Sequence, residues 1–281
     1  MVEPGARLAG SAQAVDGGNH DLVFDLTFLG TGTSTGVPVI GCDCEVCQST
    51  DPRDARLRSS VLLESGDRTI LVDTSPDLRQ QMLVTRTARI DGVLFTHAHS
   101  DHTAGLDELR RYNIMQEARI PVWATPDTGA EILERFAYAF DHSFSFFGAK
   151  PDLDLHSFDP DMPFDVLGVP VLPIPIKHGW MSIVGFRFGN VAYLTDAKVI
   201  PESTFPLLEN LDLLILTALR QKPHVAHMNL EEALAAIERI APRRSLLTHI
   251  AHDLGCHAVV EQDLPANVAL ARDGLRLTGL S

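Results

Sequence analysis

The stretch from Asp91 to Gly105 constrains the fold of this 281-residue chain more than any other part of its sequence. Its apolar run, Gly92 to Phe95, predicts a short buried strand. Four side chains of the kind that bind metals follow the strand: His97, His99, Asp101 and His102. The alternative is an exposed polar loop with Asp101 as a helix N-cap. Three histidines and an aspartate within six positions favour a metal site, and imidazole with carboxylate suits zinc, iron or manganese.

The spacing of these four residues predicts how they divide between cations. Residues two apart in an extended loop project to the same side, so His97 and His99 can present ring nitrogens to one cation. Asp101 and His102, at the start of the next helix, would point the other way around the turn. They could therefore serve a second cation.

Cysteines form another group of potential metal ligands upstream. Three of the four cysteines lie within six residues: Cys42, Cys44 and Cys47. Such clustering in a chain without a secretion signal indicates thiolate ligands rather than disulfides. Three unligated thiols in a polar loop would be unusual, because free cysteines are usually buried and scattered. A structural zinc site normally has four ligands, so we expect the fourth from elsewhere in the chain.

The composition limits the class of protein. With 45% hydrophobic residues the chain can bury one large α/β core or two small ones. A net charge of -14 argues against a general nucleic-acid binder, but a metal pair could still attract a small anionic substrate. Residues 1–18 lack the basic start and apolar core of a signal peptide, and no apolar run is long enough to span a membrane. We therefore expect a cytoplasmic protein without a membrane partner.

The domain organisation is predicted to be simple. Residues 1–20 are rich in glycine and alanine without periodicity, and we expect them to form a loose extension. Residues 21–281 show no internal boundary, repeat or linker and are expected to form one domain. The glycine-rich turn over residues 30–36 lacks the lysine of a nucleotide-binding loop. Its predicted role is a tight turn that lets the backbone pass close to the metal-binding edge.

Turn and capping signals predict three local structures. Gly66-Asp67 predicts a hairpin between two apolar strands, and Asp273-Gly274 predicts a closing hairpin over residues 268–277. An amphipathic helix is predicted over residues 230–240, with Asn229 as its N-cap.

Several polar and aromatic residues have more than one possible role. Asp73 could orient a metal-bound histidine or cap its turn. Arg110 and Arg111 are expected on or near the site side. Residues 51–58 predict a solvated loop, although one of its arginines could bind an anion: Arg53, Arg56 or Arg58. An aromatic cluster could form core, a dimer surface or a pocket wall: Phe136, Tyr138, Phe140, Phe144, Phe146 and Phe147.

The run from His97 to His102 resembles the His-x-His-x-Asp-His signature of metallo-β-lactamase-fold hydrolases. The resemblance implies an α/β fold, a four-layer αββα sandwich with a two-metal site along the open edge between its sheets. It also implies further ligands, and His178, Asp196 and His249 follow successive predicted strands in the required order. One cation would be held by His97, His99 and His178. The other would be held by Asp101, His102 and His249, with Asp196 as the bridging carboxylate.

The cysteine loop and the His249-x-x-His252 ending resemble one branch of this fold, the phosphoribosyl 1,2-cyclic phosphate phosphodiesterases. The resemblance implies a structural zinc held by Cys42, Cys44, Cys47 and His252. It also implies a homodimer, and two active-site zinc or manganese ions whose bridging hydroxide attacks a small cyclic phosphodiester, either a sugar phosphate or a nucleotide.

Asp101 and His227 are the predicted catalytic residues. By resemblance, His227 assists the leaving group, where an imidazole could protonate the departing oxygen or stabilise the charge on phosphorus. His224 is the weaker candidate for this role, because a loop histidine held by Pro223 explains it equally well.

Two other functions remain open. Residues 75–81 and the cysteine loop resemble the B protein of pyrroloquinoline quinone biosynthesis, which would make the chain a non-catalytic ligand-binding or carrier protein. The tRNA 3′-processing endonucleases share the metal ligands, but they carry a basic arm that this sequence lacks, so nucleic acid is not an expected partner. About one metal per chain, with chelation affecting stability alone, would favour the carrier.

Overall fold

The computed structural model describes residues 22–143 and 150–281. Its strands in chain order are β1 (Phe24–Gly30), β2 (Ser60–Ser65), β3 (Arg68–Val72), β4 (Gly92–Leu94), β5 (Ile120–Ala124), β6 (Leu153–Ser157), β7 (Phe164–Val166), β8 (Val169–His178), β9 (Met181–Phe188), β10 (Val191–Leu194), β11 (Leu213–Thr217), β12 (Arg244–Thr248), β13 (Val268–Leu270) and β14 (Arg276–Leu280). The α-helices are α1 (Leu78–Thr85), α2 (Ser100–Thr103), α3 (Arg110–Gln116), α4 (Pro126–Arg135), α5 (Leu230–Ile240) and α6 (His257–Val260).

These strands form two seven-stranded sheets. The first has the order β14-β1-β2-β3-β4-β5-β6 and is parallel from β3 to β6. The second has the order β13-β12-β11-β10-β9-β8-β7 and is parallel from β13 to β10. In each sheet the parallel strands end at one common edge, which concentrates the loops after them in one place.

The two sheets pack face to face between helices. Phe28 of the first sheet and Tyr193 of the second belong to one buried cluster between the sheets. On the outer face of the first sheet, Leu78 of α1 and Ile132 of α4 are buried in a second cluster. Ile237 of α5 is buried in a third cluster against the second sheet. This layering confirms the predicted αββα sandwich.

Several local predictions agree with the structure. β2 and β3 form a regular antiparallel hairpin, and Gly66 in its turn has φ 59°. Helix α5 has the predicted bounds, and Asn229 caps it through a reciprocal capping box with Glu232. Within the described residues, no helix combines the length and the apolar character that crossing a membrane requires.

The closing hairpin predicted over residues 268–277 is wrong. β13 pairs with β12 in the second sheet, whereas β14 pairs with β1 in the first. The Asp273 carboxylate accepts hydrogen bonds from the Thr31 hydroxyl and the Leu57 amide, both at 2.7 Å, and so anchors a crossing between the sheets. An Asp-Gly pair marks a tight turn, but it carries no information about which strands the flanking residues join.

The predicted N-terminal extension, residues 1–20, lies outside the described residues, as do Phe144, Phe146 and Phe147 of the aromatic cluster. Phe136 and Phe140 pack partly buried against the outer cluster of the first sheet, while Tyr138 is 43% exposed. Two members of the cluster therefore contribute to packing.

The glycine-rich turn after β1 has the close backbone approach that its sequence predicts. A Cβ atom on Gly30 would lie 2.0 Å from the Arg58 carbonyl oxygen and 2.7 Å from that of Leu57. Gly32 then forms bridges to Arg58 and to Ile250, the residue after His249. Only glycine permits this contact, because any side chain would force the two segments apart.

We expect Gly30→Ala to destabilise the protein by about 3 kcal/mol or more, because backbone atoms rather than a flexible side chain occupy the space. Gly41→Ala is the matched control: φ is 75° and nothing lies within 4 Å of the added Cβ, so we expect only about 1–2 kcal/mol from the left-handed backbone. Urea unfolding of both variants measures the difference. Equal losses would contradict the steric explanation.

Candidate active site

The predicted ligands of the two-cation site converge because they follow strands that end at the same edge. His97 follows β4 in the first sheet. His178 ends β8, Asp196 follows β10 and His249 follows β12 in the second sheet. Helix α2 begins inside the histidine loop and carries Asp101 and His102 in its single turn.

The ligand atoms form two groups with the predicted membership. The first contains His97, His99 and His178, whose ligand atoms all lie within 4.8 Å of one another. The second contains Asp101, His102, Asp196 and His249, within the same distance.

Asp196 occupies the position of a shared carboxylate. Its Oδ2 atom lies 3.1 Å from His102 Nε2, and its Oδ1 atom lies 3.1 Å from His249 Nε2. Asp196 also groups with His178, a residue of the other set. The carboxylate therefore lies between the two groups, where a bridging ligand is required.

Hydrogen bonds on the far side of two rings turn their Nε2 atoms toward the site. His102 Nδ1 lies 2.7 Å from Asp73 Oδ2. The same Oδ2 atom accepts a hydrogen bond from the Thr96 hydroxyl, and Asp73 Oδ1 accepts one from the Thr96 amide. His178 Nδ1 lies 2.7 Å from the Ala226 carbonyl oxygen. Such outer contacts fix the tautomer and orientation of metal-binding histidines. Of the two roles considered for Asp73, the structure supports the orientation of His102.

Three site residues have backbone conformations that are unusual for non-glycine residues. Asp73, Asp196 and His249 have φ of 64°, 60° and 56°. Conformations of this kind cost about 1–3 kcal/mol each and persist where the surrounding structure imposes them. Their location at one edge indicates that the fold holds these side chains in place at the expense of stability.

Buried nitrogen atoms without partners fit the presence of cations. His97 Nε2, His102 Nε2 and His249 Nε2 are buried and have no hydrogen-bond partner among residues 22–143 and 150–281. The contacts of His102 and His249 with Asp196 are short but lack hydrogen-bond geometry. A buried polar atom without a partner costs about 1–3 kcal/mol. Cations between these atoms would satisfy all three, so the residues present fit a two-metal site.

The protonation states of the site groups depend on burial and on the charges around them. Burial raises the pKa of the Asp196 carboxyl, but the imidazoles of His249 and His102 outweigh it and hold this pKa well below its usual range. Burial lowers the pKa of His97 well below its usual value, with a contribution from His102. Burial and His249 lower the pKa of His227 to about 2. Burial lowers the pKa of His102, but the carboxylates of Asp196 and Asp73 outweigh it and raise this pKa well above its usual value. Metal-binding histidines are neutral, so a cation would replace the proton on His102.

His227 lies inside the site and His224 lies outside it. The ring centroid of His227 is 4.5 Å from that of His178 and 4.8 Å from that of His249. Its Nδ1 atom is 3.6 Å from Asp196 Oδ1. The His224 ring is 5.1 Å from the His227 ring, and its Nδ1 accepts a hydrogen bond from the Ala226 amide.

The cysteine cluster is completed by His252. Its Nδ1 atom lies 3.3 Å from the sulfurs of Cys42 and Cys44 and 3.5 Å from that of Cys47. Tetrahedral zinc with Zn–S and Zn–N bonds of about 2.3 and 2.0 Å requires similar separations. Cys256, the fourth cysteine, is not in this group. His249 and His252 lie on one loop, so this loop supplies a residue to the two-cation site and another to the cysteine group.

The predicted solvated loop over residues 51–58 is wrong for Arg56. This side chain is 4% exposed, and its guanidinium donates to the Thr31 hydroxyl, the Ala271 carbonyl and His257 Nδ1. Alternating charges such as those of residues 51–58 are typical of a solvated loop. The partners of Arg56 are distant in sequence, so no local signal predicts that this side chain is buried.

The other arginines pair with nearby acids. Arg53 pairs with Asp51 at 2.6 Å, and Arg58 pairs with Asp77 at 3.1 Å. Arg110 pairs with Asp107 at 3.1 Å on the surface. Arg111 lines a separate surface cavity near α1 and α3.

The sequence analysis did not identify the Ala226 carbonyl oxygen that orients His178. Every residue has a backbone oxygen, so no sequence signal distinguishes this one.

A family model described as a β-lactamase superfamily domain matches residues 68–250. This span contains all the predicted ligands of the two-cation site. The chain belongs to the β-lactamase superfamily. The match and the sandwich architecture confirm the resemblance to metallo-β-lactamase-fold hydrolases, a fold that implies the binding of divalent metals.

Three proteins are similar to this chain over most of its length. A crystal structure described as a new diphosphatase from the PhnP family is 39% identical, has a TM-score of 0.84, and aligns over 92% of this chain and 98% of its own. The octanoyltransferase of Porphyromonas gingivalis is 39% identical over 88% of this chain, which spans 50% of that protein's length. Zinc-bound PqqB of Methylobacterium extorquens is 22% identical with a TM-score of 0.73, over 90% of this chain and 99% of its own.

We expect Asp73→Asn to weaken active-site metal binding about 10- to 100-fold, the usual cost of losing an orienting carboxylate. An asparagine cannot accept from both Thr96 and the His102 ring as the carboxylate does. Titration of the metal-depleted protein with Mn²⁺ measures the effect. Asp91→Asn, a buried carboxylate that accepts the Thr69 amide at 2.9 Å, is the control, and an equal loss there would refute a specific role for Asp73.

For the cysteine cluster, we expect Cys44→Ser to lose one tightly bound zinc per chain while Cys256→Ser keeps it. A serine hydroxyl is a much poorer zinc ligand than a thiolate, and the Cys47 amide and His252 already lower the pKa of the Cys44 thiol to about 6. Elemental analysis after dialysis against a weak chelator measures the zinc. Retention of all zinc by Cys44→Ser would exclude the cluster as its site.

Proposed function

We propose that this superfamily member is a metal-dependent phosphodiesterase that hydrolyses a small cyclic phosphodiester, either a sugar phosphate or a nucleotide. One observation carries the proposal: two groups of ligand atoms meet at the shared carboxylate of Asp196. The similarity to a protein described as a diphosphatase supports phosphoryl chemistry. The net charge of -14 favours a small substrate over nucleic acid.

In this proposal His97, His99 and His178 would hold the first cation, Asp101, His102 and His249 would hold the second, and Asp196 would serve both. When bound, two zinc or manganese ions would activate water and neutralise the charge on the phosphodiester oxygens. Cys42, Cys44, Cys47 and His252 would hold a structural zinc. The catalytic contribution of Asp101 would be that of an ionised ligand.

We assign leaving-group assistance to His227. Its ring stands between those of His178 and His249, and its Nδ1 atom is buried without a hydrogen-bond partner among the described residues. Burial keeps the ring neutral, and a neutral imidazole still carries one N–H. We propose that this N–H donates to the departing oxygen and stabilises its negative charge in the transition state.

The surroundings of the site suit a substrate with an organic part. Trp180 and Val225 are 91% and 82% exposed, and they lie on the two loops that carry His178 and His227. Exposed apolar side chains beside a polar site can contact the sugar or base of a ligand. A homodimeric state and a cytoplasmic location stay predictions.

The second candidate is the non-catalytic carrier. The fold similarity to zinc-bound PqqB favours it, and it differs from the enzyme in needing only the structural zinc. The octanoyltransferase name applies to a protein twice as long as the matched region, so acyl transfer is not proposed for this chain. A ribonuclease resembling the tRNA 3′-processing endonucleases is a third and weaker alternative because of the strongly acidic chain.

To test the phosphodiesterase, we would assay bis(p-nitrophenyl) phosphate and a five-membered cyclic ribose phosphate with metals counted in each preparation. We expect wild-type protein to hydrolyse at least one of them, and His227→Ala to lose about 10²-fold or more in kcat at unchanged metal content. His224→Ala, the neighbouring loop histidine, should retain activity. A fully metallated wild type without activity on either substrate would defeat the proposal, and a single metal per chain would favour the carrier.

A further inference from the structure

His249 differs from His97, His102 and His178, three other predicted cation ligands, in having no hydrogen bond to hold its ring. His102 is oriented by Asp73 and His178 by Ala226, and His97 Nδ1 lies 3.0 Å from the Thr96 hydroxyl. Both ring nitrogens of His249 are buried without a partner among the described residues. Its orientation must therefore come from its backbone and from packing.

The backbone beside His249 is held by the segment Thr31–Thr33. The Ile250 amide donates to the Thr31 carbonyl at 2.9 Å, and the Thr33 amide donates to the Ile250 carbonyl at 3.1 Å. These two bonds hold Ile250, the residue that follows His249. His249 itself has a φ of 56°, a conformation that non-glycine residues adopt only where the surrounding structure imposes it. A shift of the Thr31–Thr33 segment would move the His249 ring.

Thr31 is itself held from behind by a buried ionic network. Arg56 donates to the Thr31 hydroxyl at 2.8 Å, and that hydroxyl donates to the Asp273 carboxylate at 2.7 Å. The other bonds of the guanidinium reach the Ala271 carbonyl at 2.6 Å and His257 Nδ1 at 3.0 Å. The network thus joins the segment of Thr31 to three segments that are distant in sequence, those of Arg56, His257 and residues 271–273.

Stability alone is a poor explanation for this network. Arg56 is 4% exposed, and taking a guanidinium out of water costs several kcal/mol before its partners compensate. A hydrophobic residue of similar volume would often be as stable. Thr31 is completely buried, and its hydroxyl faces only the two charged groups. What this network does specifically is to hold the Thr31–Thr33 segment in a fixed position.

We propose that Arg56, acting with Asp273, is a positioning residue that holds the Thr31–Thr33 segment against Ile250 and so keeps the His249 ring in place for cation binding. The inference rests on the proposed two-cation site but not on the identity of the substrate. Arg56 acts through Thr31 and does not touch the reacting atoms.

The experiment compares Arg56→Met with Arg187→Met by Mn²⁺ titration of protein depleted of active-site metal but retaining its cysteine-bound zinc. Arg187 is the matched control because it also donates to backbone carbonyls, those of Gly189, Leu207 and Glu209, at 2.7–3.0 Å. We expect Arg56→Met to weaken binding of one of the two cations about 10- to 100-fold, the range for lost outer contacts. The other cation and the cysteine-bound zinc should be unchanged, and Arg187→Met should bind both cations as wild type does.

A second variant guards against misfolding of Arg56→Met. Thr31→Val removes the hydroxyl that links Arg56 to the segment, and we expect it to weaken the same cation. The double variant should lose no more than the stronger single variant, because both changes break one linkage.

Two results would overturn the inference. One is wild-type affinity for both cations in Arg56→Met and Thr31→Val, even with a lower unfolding midpoint, which would make the network structural alone. The other is an equal loss in Arg187→Met, which would make the effect general. Failure of the proposed function looks different, since it appears as a single active-site cation, or as inactivity, in the wild-type protein itself.

Discussion

The Asp196 carboxylate, buried between His102 and His249 at 3.1 Å from each, is the contact on which the rest of this structure depends. It is an acid that burial would neutralise, and only the surrounding imidazoles keep it ionised. Those imidazoles follow strands of both sheets, so the carboxylate can be buried in its ionised form only when both sheets are assembled. The sandwich is therefore organised to bring strand ends together at one edge, and the cost of burying this group is offset by the ligands that converge on it.

A second layer of contacts holds three of the converging ligands, and the kind of contact differs at each of them. Asp73 orients His102 through a carboxylate, and the Ala226 carbonyl orients His178. His249 has neither, and the backbone of Ile250 is fixed instead through Thr31 and the buried Arg56. The strained φ angles at Asp73, Asp196 and His249 belong to the same pattern. Sites that must be held to within fractions of an ångström commonly sacrifice stability in this way.

The loop after β12 links the cysteine group to the two-cation site. His249 faces the site at the sheet edge, and His252 completes the cysteine group three residues later. The β-lactamase superfamily match covers His249 and ends at residue 250, before His252. The cysteine group therefore lies outside the matched domain at both ends, while the loop that completes it also carries His249, a predicted ligand of the two-cation site. A change at the cysteine group would consequently reach His249 through a very short stretch of chain.

Local pattern in the sequence was sufficient for several elements and for the ligand types. The hairpin at Gly66-Asp67, helix α5 with its Asn229 cap and the pairing of His97 with His99 all follow from signals within a few residues. The addition of His178 to that pair follows from the resemblance to a family and not from local pattern. The crossing at Asp273, the burial of Arg56 and the role of the Ala226 carbonyl were decided by tertiary structure alone. Each depends on partners far away in the chain, or on a backbone atom that every residue possesses, and neither kind of information is present in local sequence.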